Sequence, residues 1–553
     1  MSRATHPSVT DRLSRLAPDQ RAAATAPPGP MLVVAPAGSG KTTTLVARVA
    51  WLVDGGADPG SVALVAFNKR AAEELVERLG SALEPLGARA SGEGGVRVRT
   101  FHALGREVLA EAGVDVTALA DRDAVVRALW PEMPAADRGR LDLAFSRLKL
   151  DLRVSPDDVA ADGAAGPVAR AWVAYERALR EDGALDFDDL VLRALRLLEG
   201  DAAVLARWRA RCATLLVDEA QDLDRTQLDL ALLLAGGGRN ITLVGDDDQT
   251  VYGWRLADVR RVLRLAAALP GLRRVDLETN YRCPPPVVAR AVRLVEHNRE
   301  RFAKRIVTGP RNAGRLVLAP DASDDIVRVT RAMGGWPDDG STRAVLARTN
   351  RELMVPAVVA VRRGWPFRAP ELGLPVEDPR LDALIERAQA SGAAHPLVAL
   401  ARLRAACRAE EAAGPLRDPD AATEGDLATA LLGWAAALPS LPALRDTVAA
   451  FRARLAELRR DDAPLTLATA HGTKGLEWDH VLVLADGFPG RRSVSDATEP
   501  ERALEEERRL AYVAWTRARR SLTLLFDPAA PSPFLREAFS AEELGIGGRR
   551  HAA

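Results

Sequence analysis

One segment restricts the fold of this chain more than any other, the glycine-bearing sequence APAGSGKT at residues 35–42. The apolar run MLVVAP at residues 31–36 predicts a buried strand that leads into it, and the pattern at residues 42–53 predicts the helix that follows. Gly38 and Gly40 allow backbone N–H groups to curl around a phosphate, and the helix N-terminus adds the positive end of its dipole. The segment therefore predicts a phosphate-binding loop between a strand and a helix.

The side chains of this loop predict its chemistry. Lys41 is placed to reach the β- and γ-phosphates of a nucleoside triphosphate, and the hydroxyl of Thr42 is placed to bind Mg²⁺. A glycine-rich turn without a ligand is the alternative, but an intact Gly-Lys-Thr sequence between a strand and a helix disfavours it. We expect the nucleotide to be held by Ala35, which replaces the usual first glycine, and by Pro36, Ala37, Gly38, Ser39, Gly40, Lys41, Thr42 and Thr43.

Two acidic segments each follow a predicted strand. In LLVDEAQD, at residues 215–222, we expect Asp218 to bind the Mg²⁺ and Glu219 to act as general base on the attacking water. In LVGDDDQTVYGWR, at residues 243–255, we expect Gln249 to sense the γ-phosphate. An acidic pair at a strand end is usually a solvated loop, but the phosphate-binding loop makes a catalytic role the better interpretation.

The second acidic segment ends in aromatic residues. Tyr252 and Trp254 flank Gly253, and Arg255 follows them. Core packing is the usual position of a tryptophan. The alternation with glycine and arginine instead favours an exposed platform on which nucleic-acid bases stack.

Composition limits the function only weakly. The 553 residues include 76 Lys+Arg and 76 Asp+Glu, so the net charge is zero and the chain is not a uniformly basic coat for nucleic acid, although a local basic groove remains compatible. Cys212, Cys283 and Cys407 lie far apart without metal-ligand spacing, which fits a reducing compartment. The sequence shows no signal peptide and no apolar run that would span a bilayer, so we expect a cytoplasmic protein without membrane association.

The order of predicted strands and helices indicates an α/β fold with two halves. Strands are predicted at residues 31–36, 62–67, 96–101, 214–217 and 241–244 in the first half, and at residues 315–318, 343–346, 465–469, 480–484 and 522–526 in the second. Helical stretches at residues 104–198 and 379–460 interrupt the two halves. We therefore expect two parallel sheets, each with a helical insertion.

These elements, in this order, resemble the UvrD/Rep family of superfamily 1 DNA helicases. Further segments that match motifs of the family are LAPDQRAA (16–23), AFNKRAAEEL (66–75), TFHALG (100–105), LDFDDL (185–190), ETNYRCPPPVV (278–288), LARTN (346–350), TAHGTKGLEW (469–478) and EEERRLAYVAWTRAR (505–519). The motifs run through nearly the whole chain. The resemblance implies two RecA-like P-loop NTPase domains, ATP and Mg²⁺ as cofactors, and single-stranded DNA and its junctions with duplex as partners.

The resemblance also implies roles for individual residues. Gln20 and Tyr281 would contact the adenine, and Glu477 would contact the ribose. The implied catalytic residues are Lys41, Asp218, Glu219, Gln249 and two arginines on the γ-phosphate, Arg282 and Arg517. The implied DNA-binding residues are Phe67, Asn68, Thr100, Phe101, His102, Tyr252, Trp254, Arg255, Arg348, Asn350, Thr469, His471 and Thr473.

The same resemblance divides the chain into domains. We expect domain 1A at residues 1–105 and 186–282, insertion 1B at 106–185, domain 2A at 283–370 and 463–540, insertion 2B at 371–462, and a flexible tail at 541–553. Within insertion 2B, the polar segment at residues 414–426 predicts an exposed loop.

The implied activity is that of an ATP-dependent 3′–5′ DNA helicase or translocase in repair or recombination, with a nuclease or repair factor as protein partner. The alternative is an ATP-switch subunit of a larger helicase–nuclease or anti-phage complex that unwinds little alone. An RNA motor is a third interpretation, which the motifs do not exclude. The intact catalytic set favours turnover over a switch.

Three departures from the family pattern bear on this activity. Insertion 2B is short and lacks the expected glycine-rich duplex-contact signature. The last strand, at residues 521–526, runs into residues 528–537 and leaves almost no room for the strand-separating β-hairpin of the family. AFNKR shifts the usual aromatic by one position, which leaves the stacking role of Phe67 open. We therefore predict translocation on single strands with weak unwinding by the chain alone.

Overall fold

The computed structural model describes residues 5–162, 165–310, 313–393, 395–413, 423–490 and 498–546. It contains two compact units, the first made of Met1–Pro131, Arg140–Gly314 and Arg492–Thr516, and the second of Glu132–Gly139, Arg315–Arg491 and Arg517–Ala553. Residues 414–422 of the expected loop and 547–553 of the expected tail lie outside the described residues. Across the described ranges, we find no helix with the length and apolar character needed to cross a membrane.

Helices make up much of both units. In chain order they are α1 Pro7–Ser14, α2 Pro18–Ala24, α3 Lys41–Asp54, α4 Lys69–Leu83, α5 Phe101–Glu111, α6 Arg122–Leu129, α7 Ala135–Ser146, α8 Pro156–Ala161, α9 Pro167–Glu181, α10 Asp189–Gly200, α11 Ala202–Arg211, α12 Arg225–Ala235, α13 Val259–Leu263, α14 Leu265–Ala268, α15 Pro285–Val295, α16 Asp325–Gly334, α17 Asn350–Arg363, α18 Arg380–Ala390, α19 Pro396–Ala413, α20 Glu424–Ala435, α21 Leu441–Leu458, α22 Pro500–Trp515 and α23 Pro533–Ala538. The helices α6 to α9 and α18 to α21 fall in the two predicted helical stretches.

The first unit is built on a six-stranded parallel sheet in the order β3-β2-β4-β5-β1-β6. Its strands are β1 Met31–Val34, β2 Val62–Ala66, β3 Arg97–Thr100, β4 Thr214–Val217, β5 Ile241–Gly245 and β6 Arg273–Asp276, and a separate pair is formed by β7 Thr279–Asn280 and β8 Val307–Thr308. Leu32 and Val34 face one apolar core, whereas Met31 and Val33 face another. Both faces of the sheet are therefore covered, as parallel sheets require.

The second unit contains a second six-stranded parallel sheet, in the order β11-β12-β10-β13-β14-β9. Its strands are β9 Arg315–Pro320, β10 Arg343–Ala347, β11 Phe367–Arg368, β12 Leu465–Thr469, β13 Trp478–Leu484 and β14 Ala518–Phe526. The two parallel sheets confirm the expected α/β fold. Within residues 498–546, β14 is the last strand.

One continuous apolar core joins the second sheet to the helices of the expected insertion 2B. Val345 and Leu465 belong to this core from the sheet, and Leu400, Leu431 and Val448 belong to it from the helices. All five side chains are at most 4% exposed. The insertion therefore shares its hydrophobic core with the sheet.

Two of the departures from the sequence prediction concern strands β3 and β6. The third strand ends at Thr100, and Phe101 begins α5, because the hydroxyl of Thr100 accepts a hydrogen bond from the backbone N–H of Ala103 at 3.2 Å and so caps the helix. The charged edge strand β6 was not predicted. Its first two residues, Arg273 and Arg274, are exposed, so it carries little of the apolar pattern that marks the inner strands.

The helix α22 lies in the first unit, as does the segment after α15 that it contacts. The amide of Asn298 donates to the carbonyl oxygen of Glu505 at 3.0 Å, and Arg508 donates to the amide oxygen of Asn298 at 2.6 Å. The carboxylate of Glu505 also accepts from the backbone N–H of Arg299 at 2.8 Å. The position of this helix depends on contacts between residues that are far apart in the sequence, and local sequence patterns do not reveal such contacts.

Candidate functional site

The loop between β1 and α3 requires glycine at two positions. Gly38 and Gly40 have φ of +72° and +80°, in the left-handed region. A Cβ on Gly38 would lie 2.8 Å from both Asn280 Oδ1 and Arg282 Cβ, and a Cβ on Gly40 would lie 2.6 Å from Gln20 Nε2. Backbone conformation and close neighbours therefore both select glycine.

Three consecutive carbonyl groups of this loop, those of residues 37–39, are held from outside. The amide of Asn280 donates to the first at 2.8 Å, the backbone N–H of Tyr281 to the second at 2.8 Å, and the amide of Gln20 to the third at 2.8 Å. The sequence predicted adenine contacts for Gln20 and Tyr281, but did not identify Asn280. Its position in the Asn-Tyr-Arg motif is the signal that could have found it.

Lys41 and Glu219 form the central ion pair of the candidate site. The Lys41 Nζ donates to both carboxylate oxygens of Glu219, at 2.8 and 2.9 Å. Asp218 directly follows β4 and is 7% exposed. Glu219 has a φ of +52°, a strained conformation for a residue with a side chain, and such strain is common at functional sites.

Gln221 links the two acidic segments, a role that the sequence did not reveal. Its amide nitrogen donates to Glu219 at 2.6 Å and to Asp222 at 3.2 Å, and its amide oxygen accepts from the backbone N–H of Asp246 at 3.0 Å. Gln221 is 1% exposed. A buried amide can bridge the loops after β4 and β5 because it both donates and accepts.

Gln249 is connected to the phosphate-binding loop through the carboxylate of Asp246. Its amide nitrogen donates at 2.7 Å to Asp246 Oδ2, and the same oxygen accepts from the backbone N–H of Ala37 at 3.1 Å. Gln249 is 3% exposed. The residue expected to sense the γ-phosphate is thus fixed against the loop expected to hold it.

The two expected magnesium ligands lie at the same edge of the first sheet, Thr42 at the start of α3 and Asp218 directly after β4. Thr42 lies half-buried in the first turn of α3, whereas Thr43 is exposed. Since the carboxyl ends of parallel strands meet at one edge, Thr42 and Asp218 both lie there, with β5 between β1 and β4. A hydroxyl and a carboxylate are oxygen ligands of the kind Mg²⁺ prefers.

The two arginines expected at the γ-phosphate lie in different units. In the first unit, Arg282 is half-buried and its Nη1 donates to the carbonyl oxygen of Thr516 at 3.2 Å, while Tyr281 is 44% exposed. In the second unit, Arg517 is 1% exposed and its Nη1 donates to the carbonyl oxygen of Leu476 at 3.3 Å. Their expected catalytic roles, like the others, stay predictions.

Aromatic side chains from two strand ends meet in the first unit. The rings of Phe67 and Tyr252 are stacked, with centroids 5.2 Å apart and planes 20° apart, and Trp254 approaches Tyr252 edge-on at 6.1 Å. The guanidinium of Arg255 lies 4.5 Å from the centroid of the Trp254 ring. Trp254 is 50% exposed, so this aromatic cluster presents the open face that base stacking needs.

A second pair of stacked rings joins His102, for which the sequence predicted a DNA contact, to Phe187. The His102 ring lies 3.9 Å from the Phe187 ring, at 17°, and Phe187 is 56% exposed. Burial is the main cause that lowers the pKa of His102 to about 4, with Arg255 adding to it and Asp188 opposing it. The imidazole is therefore neutral near pH 7 and offers a ring face rather than a positive charge. Phe187, in the LDFDDL segment, was not assigned a role from the sequence.

Three of the residues expected to bind DNA cap a helix or pack in the core of the first unit. The side chain of Asn68 caps α4 by accepting from the backbone N–H of Ala71 at 2.8 Å, and Thr100 caps α5. Phe101 is 3% exposed in the apolar core beneath the sheet. Phe101 therefore presents almost no surface to a ligand.

The second unit holds the other candidate residues. Thr473 is fully buried and donates to the carbonyl oxygen of Ala470 at 2.7 Å. Asn350 is exposed and donates to the carbonyl oxygen of Glu371 at 3.3 Å. Three further candidates are half-buried, namely Arg348, Thr469 and His471. Glu477, the expected ribose contact, is exposed.

Comparison with known proteins agrees with the family resemblance of the sequence motifs. Residues 16–270 match the model of the UvrD/REP helicase N-terminal domain, and residues 447–527 match that of the UvrD-like helicase C-terminal domain. The chain is 31% identical over 388 residues to DNA helicase II of Escherichia coli (65% of this chain, 52% of that protein) and 34% identical over 307 residues to its ATP-dependent DNA helicase Rep (53% and 45%).

The chain thus spans about half the length of these two relatives. A longer match, 33% identical over 577 residues, is to the ATP-dependent DNA helicase UvrD2 of Mycobacterium tuberculosis, and it covers 91% of this chain and 77% of that protein. Both RecA-like halves fall within these matches, and so do the phosphate-binding loop and its acidic partners. The chain belongs to the UvrD/Rep family of helicases.

Proposed function

We propose that this chain is an ATP-driven motor that moves 3′ to 5′ along single-stranded DNA and acts as a helicase in DNA repair or recombination. The observation that carries the proposal is the segment at residues 246–255. At its start, Asp246 binds the backbone of the phosphate-binding loop, and at its end Tyr252 and Trp254 form the aromatic cluster. In the proposed motor, this short segment connects the ATP site to the DNA site.

The proposed chemistry assigns one task to each side chain of the ATP site. Lys41 binds the β- and γ-phosphates, and Glu219 accepts the proton of the attacking water as general base. Thr42 and Asp218 hold Mg²⁺, which offsets negative charge on the phosphates when it is bound. Arg282 and Arg517 act as the two arginines that stabilise charge on the transferring phosphoryl group.

The proposed DNA site uses stacking in preference to charge. The exposed rings of Trp254 and Phe187, with Phe67 and Tyr252 behind Trp254, offer surfaces that accept any base. For the second unit, the proposal assigns DNA contacts to Asn350, His471 and Thr469. Stacking without base-specific hydrogen bonds suits a motor that must pass along every sequence. We further propose that single-strand to duplex junctions and a nuclease or repair factor are its partners, in the cytoplasm.

The relatives favour turnover over a switch. All three carry names that describe them as DNA helicases, and two of those names state ATP dependence. Lys41, Asp218, Glu219 and Gln249 are all present and grouped in the first unit. A chain that only switched between ATP-bound and ATP-free states would not need the general base.

The decisive experiment measures the ATPase rate with and without a single-stranded oligonucleotide, for the wild type and for Lys41→Ala. The proposal expects at least about tenfold stimulation by DNA, with both rates lost in the variant, because Lys41 contacts the transferring group. A slow rate that DNA does not change would contradict the motor and favour a switch in a larger complex. Movement from 3′ to 5′ is tested by displacement of streptavidin from either end of a biotinylated strand.

A further inference from the structure

Three consecutive aspartates follow β5 and lie against the phosphate-binding loop. Asp246, Asp247 and Asp248, here called the acidic loop, are at most 2% exposed. Asp246 accepts from the backbone N–H of Ala37 at 3.1 Å and from Gln249 at 2.7 Å. The acidic loop therefore fixes one amide of the phosphate-binding loop and the side chain expected to sense the γ-phosphate.

One ammonium group lies among all three carboxylates. The side chain of Lys304 is 1% exposed, and its Nζ lies 2.8, 2.5 and 2.8 Å from an oxygen of each aspartate in chain order. Arg301 adds two hydrogen bonds to Asp248, at 3.0 and 2.8 Å, and the backbone N–H of Phe302 donates to Asp247 at 2.8 Å. The counter-ions of the acidic loop thus come from one short segment after α15.

The charges of this cluster depend on each other. Burial by itself would lower the pKa of Lys304, but the three carboxylates outweigh it and hold that pKa above its usual value. Burial raises the pKa of Asp247 to about 6, whereas Lys304 and Arg301 outweigh burial at Asp248 and lower its pKa. Without Lys304, Arg301 would be the cation left beside the acidic loop, and its hydrogen bonds go to Asp248.

We propose that Lys304 is a positioning residue for nucleotide binding, which neutralises the acidic loop and holds Asp246 against the phosphate-binding loop. The inference rests on the proposed ATP site and assigns a residue to it from outside the motifs. A triphosphate is strongly anionic, and unpaired carboxylates in a buried site beside it would repel it. Paired with Lys304, the same carboxylates instead orient the backbone N–H of Ala37 and the amide of Gln249.

The first unit contains a matched control for this lysine. Lys149 is also 1% exposed, and its Nζ lies 2.7 Å from Glu176, 2.8 Å from Asp186 and 3.2 Å from Asp189. Glu176 belongs to α9, Asp186 to the segment that leads into α10, and Asp189 to α10 itself. Their contacts with Lys149 lie outside the phosphate-binding loop and the acidic loop. Removing either lysine leaves three carboxylates that are at most 11% exposed short of a cation, and of the two lysines it is Lys304 that touches the acidic loop.

The experiment compares Lys304→Met with Lys149→Met. Both variants should unfold at lower urea concentration than the wild type, since each leaves buried charge unpaired. ATP affinity, measured with a fluorescent ATP analogue and Mg²⁺, should fall at least about tenfold in Lys304→Met and stay within about twofold in Lys149→Met. Equal ATP affinity in the two variants would overturn the proposal. If the wild type itself does not bind the analogue, the proposed ATP function fails instead, and this inference falls with it.

Lys304→Arg serves if the methionine variant does not fold. It keeps the positive charge, but a planar guanidinium cannot place one nitrogen among three carboxylates in the same geometry. We expect this variant to fold and to bind the ATP analogue about three- to tenfold more weakly, with kcat reduced less than affinity. An affinity equal to that of the wild type would show that a positive charge is sufficient without the placement of Nζ among the three carboxylates, which would contradict the positioning role.

Discussion

Lys41 donates from Nζ to both carboxylate oxygens of Glu219, at 2.8 and 2.9 Å. The residue proposed to bind the phosphates is therefore paired with the residue proposed to activate the water. Charge-assisted hydrogen bonds of this kind are strong, so an entering triphosphate competes with Glu219 for the ammonium. We therefore expect that binding of the phosphates by Lys41 releases Glu219 for the attacking water.

Replacing Glu219 by glutamine separates binding from hydrolysis. Glutamine keeps the shape but cannot accept the proton of the attacking water, so we expect kcat for ATP to fall by roughly 10²- to 10⁴-fold. ATP affinity should be unchanged or tighter, because the competition for Lys41 weakens. Steady-state ATPase rates and equilibrium binding of ATP measure the two effects. Glu501→Gln, at a side chain that is 91% exposed, is the control, and a wild-type ATPase rate in Glu219→Gln would refute the role of the general base.

Removing the exposed indole of the aromatic cluster should weaken DNA binding. We expect Trp254→Ala to lower affinity for a single-stranded oligonucleotide by about 5- to 150-fold, since stacking on one base contributes about 1–3 kcal/mol. Fluorescence anisotropy with a labelled oligo-dT measures the loss. Trp434→Ala removes a tryptophan that is 38% exposed in the second unit, outside the cluster. Equal affinities of the two variants would mean that the cluster does not bind DNA.

His102 should make stability depend on pH in a defined direction. Its pKa falls from 6.5 to about 4 in the folded chain, so the fold favours the neutral imidazole. This contribution to the free energy of unfolding is complete above pH 6.5 and is lost as pH falls towards 4. Urea unfolding at several pH values should show a smaller loss at low pH for His102→Gln than for the wild type. Identical pH dependence in both proteins would contradict the lowered pKa of His102.

Translocation should exceed unwinding. Within residues 498–546, β14 is followed by α23 and by no further strand, so the strand-separating hairpin expected of the family has no counterpart there. We expect the chain to displace streptavidin from a single strand, yet to separate a 3′-tailed duplex slowly. The two assays are run on the same preparation with the same ATP concentration. Processive separation of the duplex by the lone protein would disprove this prediction.

Much of the fold follows from local sequence patterns. The inner strands β1, β2, β4 and β5 are short apolar runs, which a buried parallel strand requires, and all four occur where the sequence predicts them. The strands that the sequence missed are of another kind. β6 begins with two exposed arginines, and β7, β8 and β11 have two residues each, too few to show a period.

The candidate site could be predicted only as far as its motifs extend. Lys41, Asp218 and Glu219 stand in recognisable segments, and the structure brings Lys41 and Glu219 together. Gln221 and Lys304 were missed because their importance depends on partners that lie far away in the chain or on another loop. Phe101 is a different case, since its motif predicts a DNA contact, which stays a prediction, whereas the start of α5 places the side chain in the core.

The apolar core shared by the second sheet and helices α18 to α21 makes the insertion an integral part of its domain and not a separately folded appendage. A subdomain that rotates as a unit needs a solvated boundary with few apolar contacts to its neighbour. Phe367 and Leu465 on the sheet side are at most 4% exposed, so excising residues 371–462 would uncover them. Such a truncation should produce an insoluble protein rather than a simplified motor, and the insertion should unfold together with the sheet on which it rests.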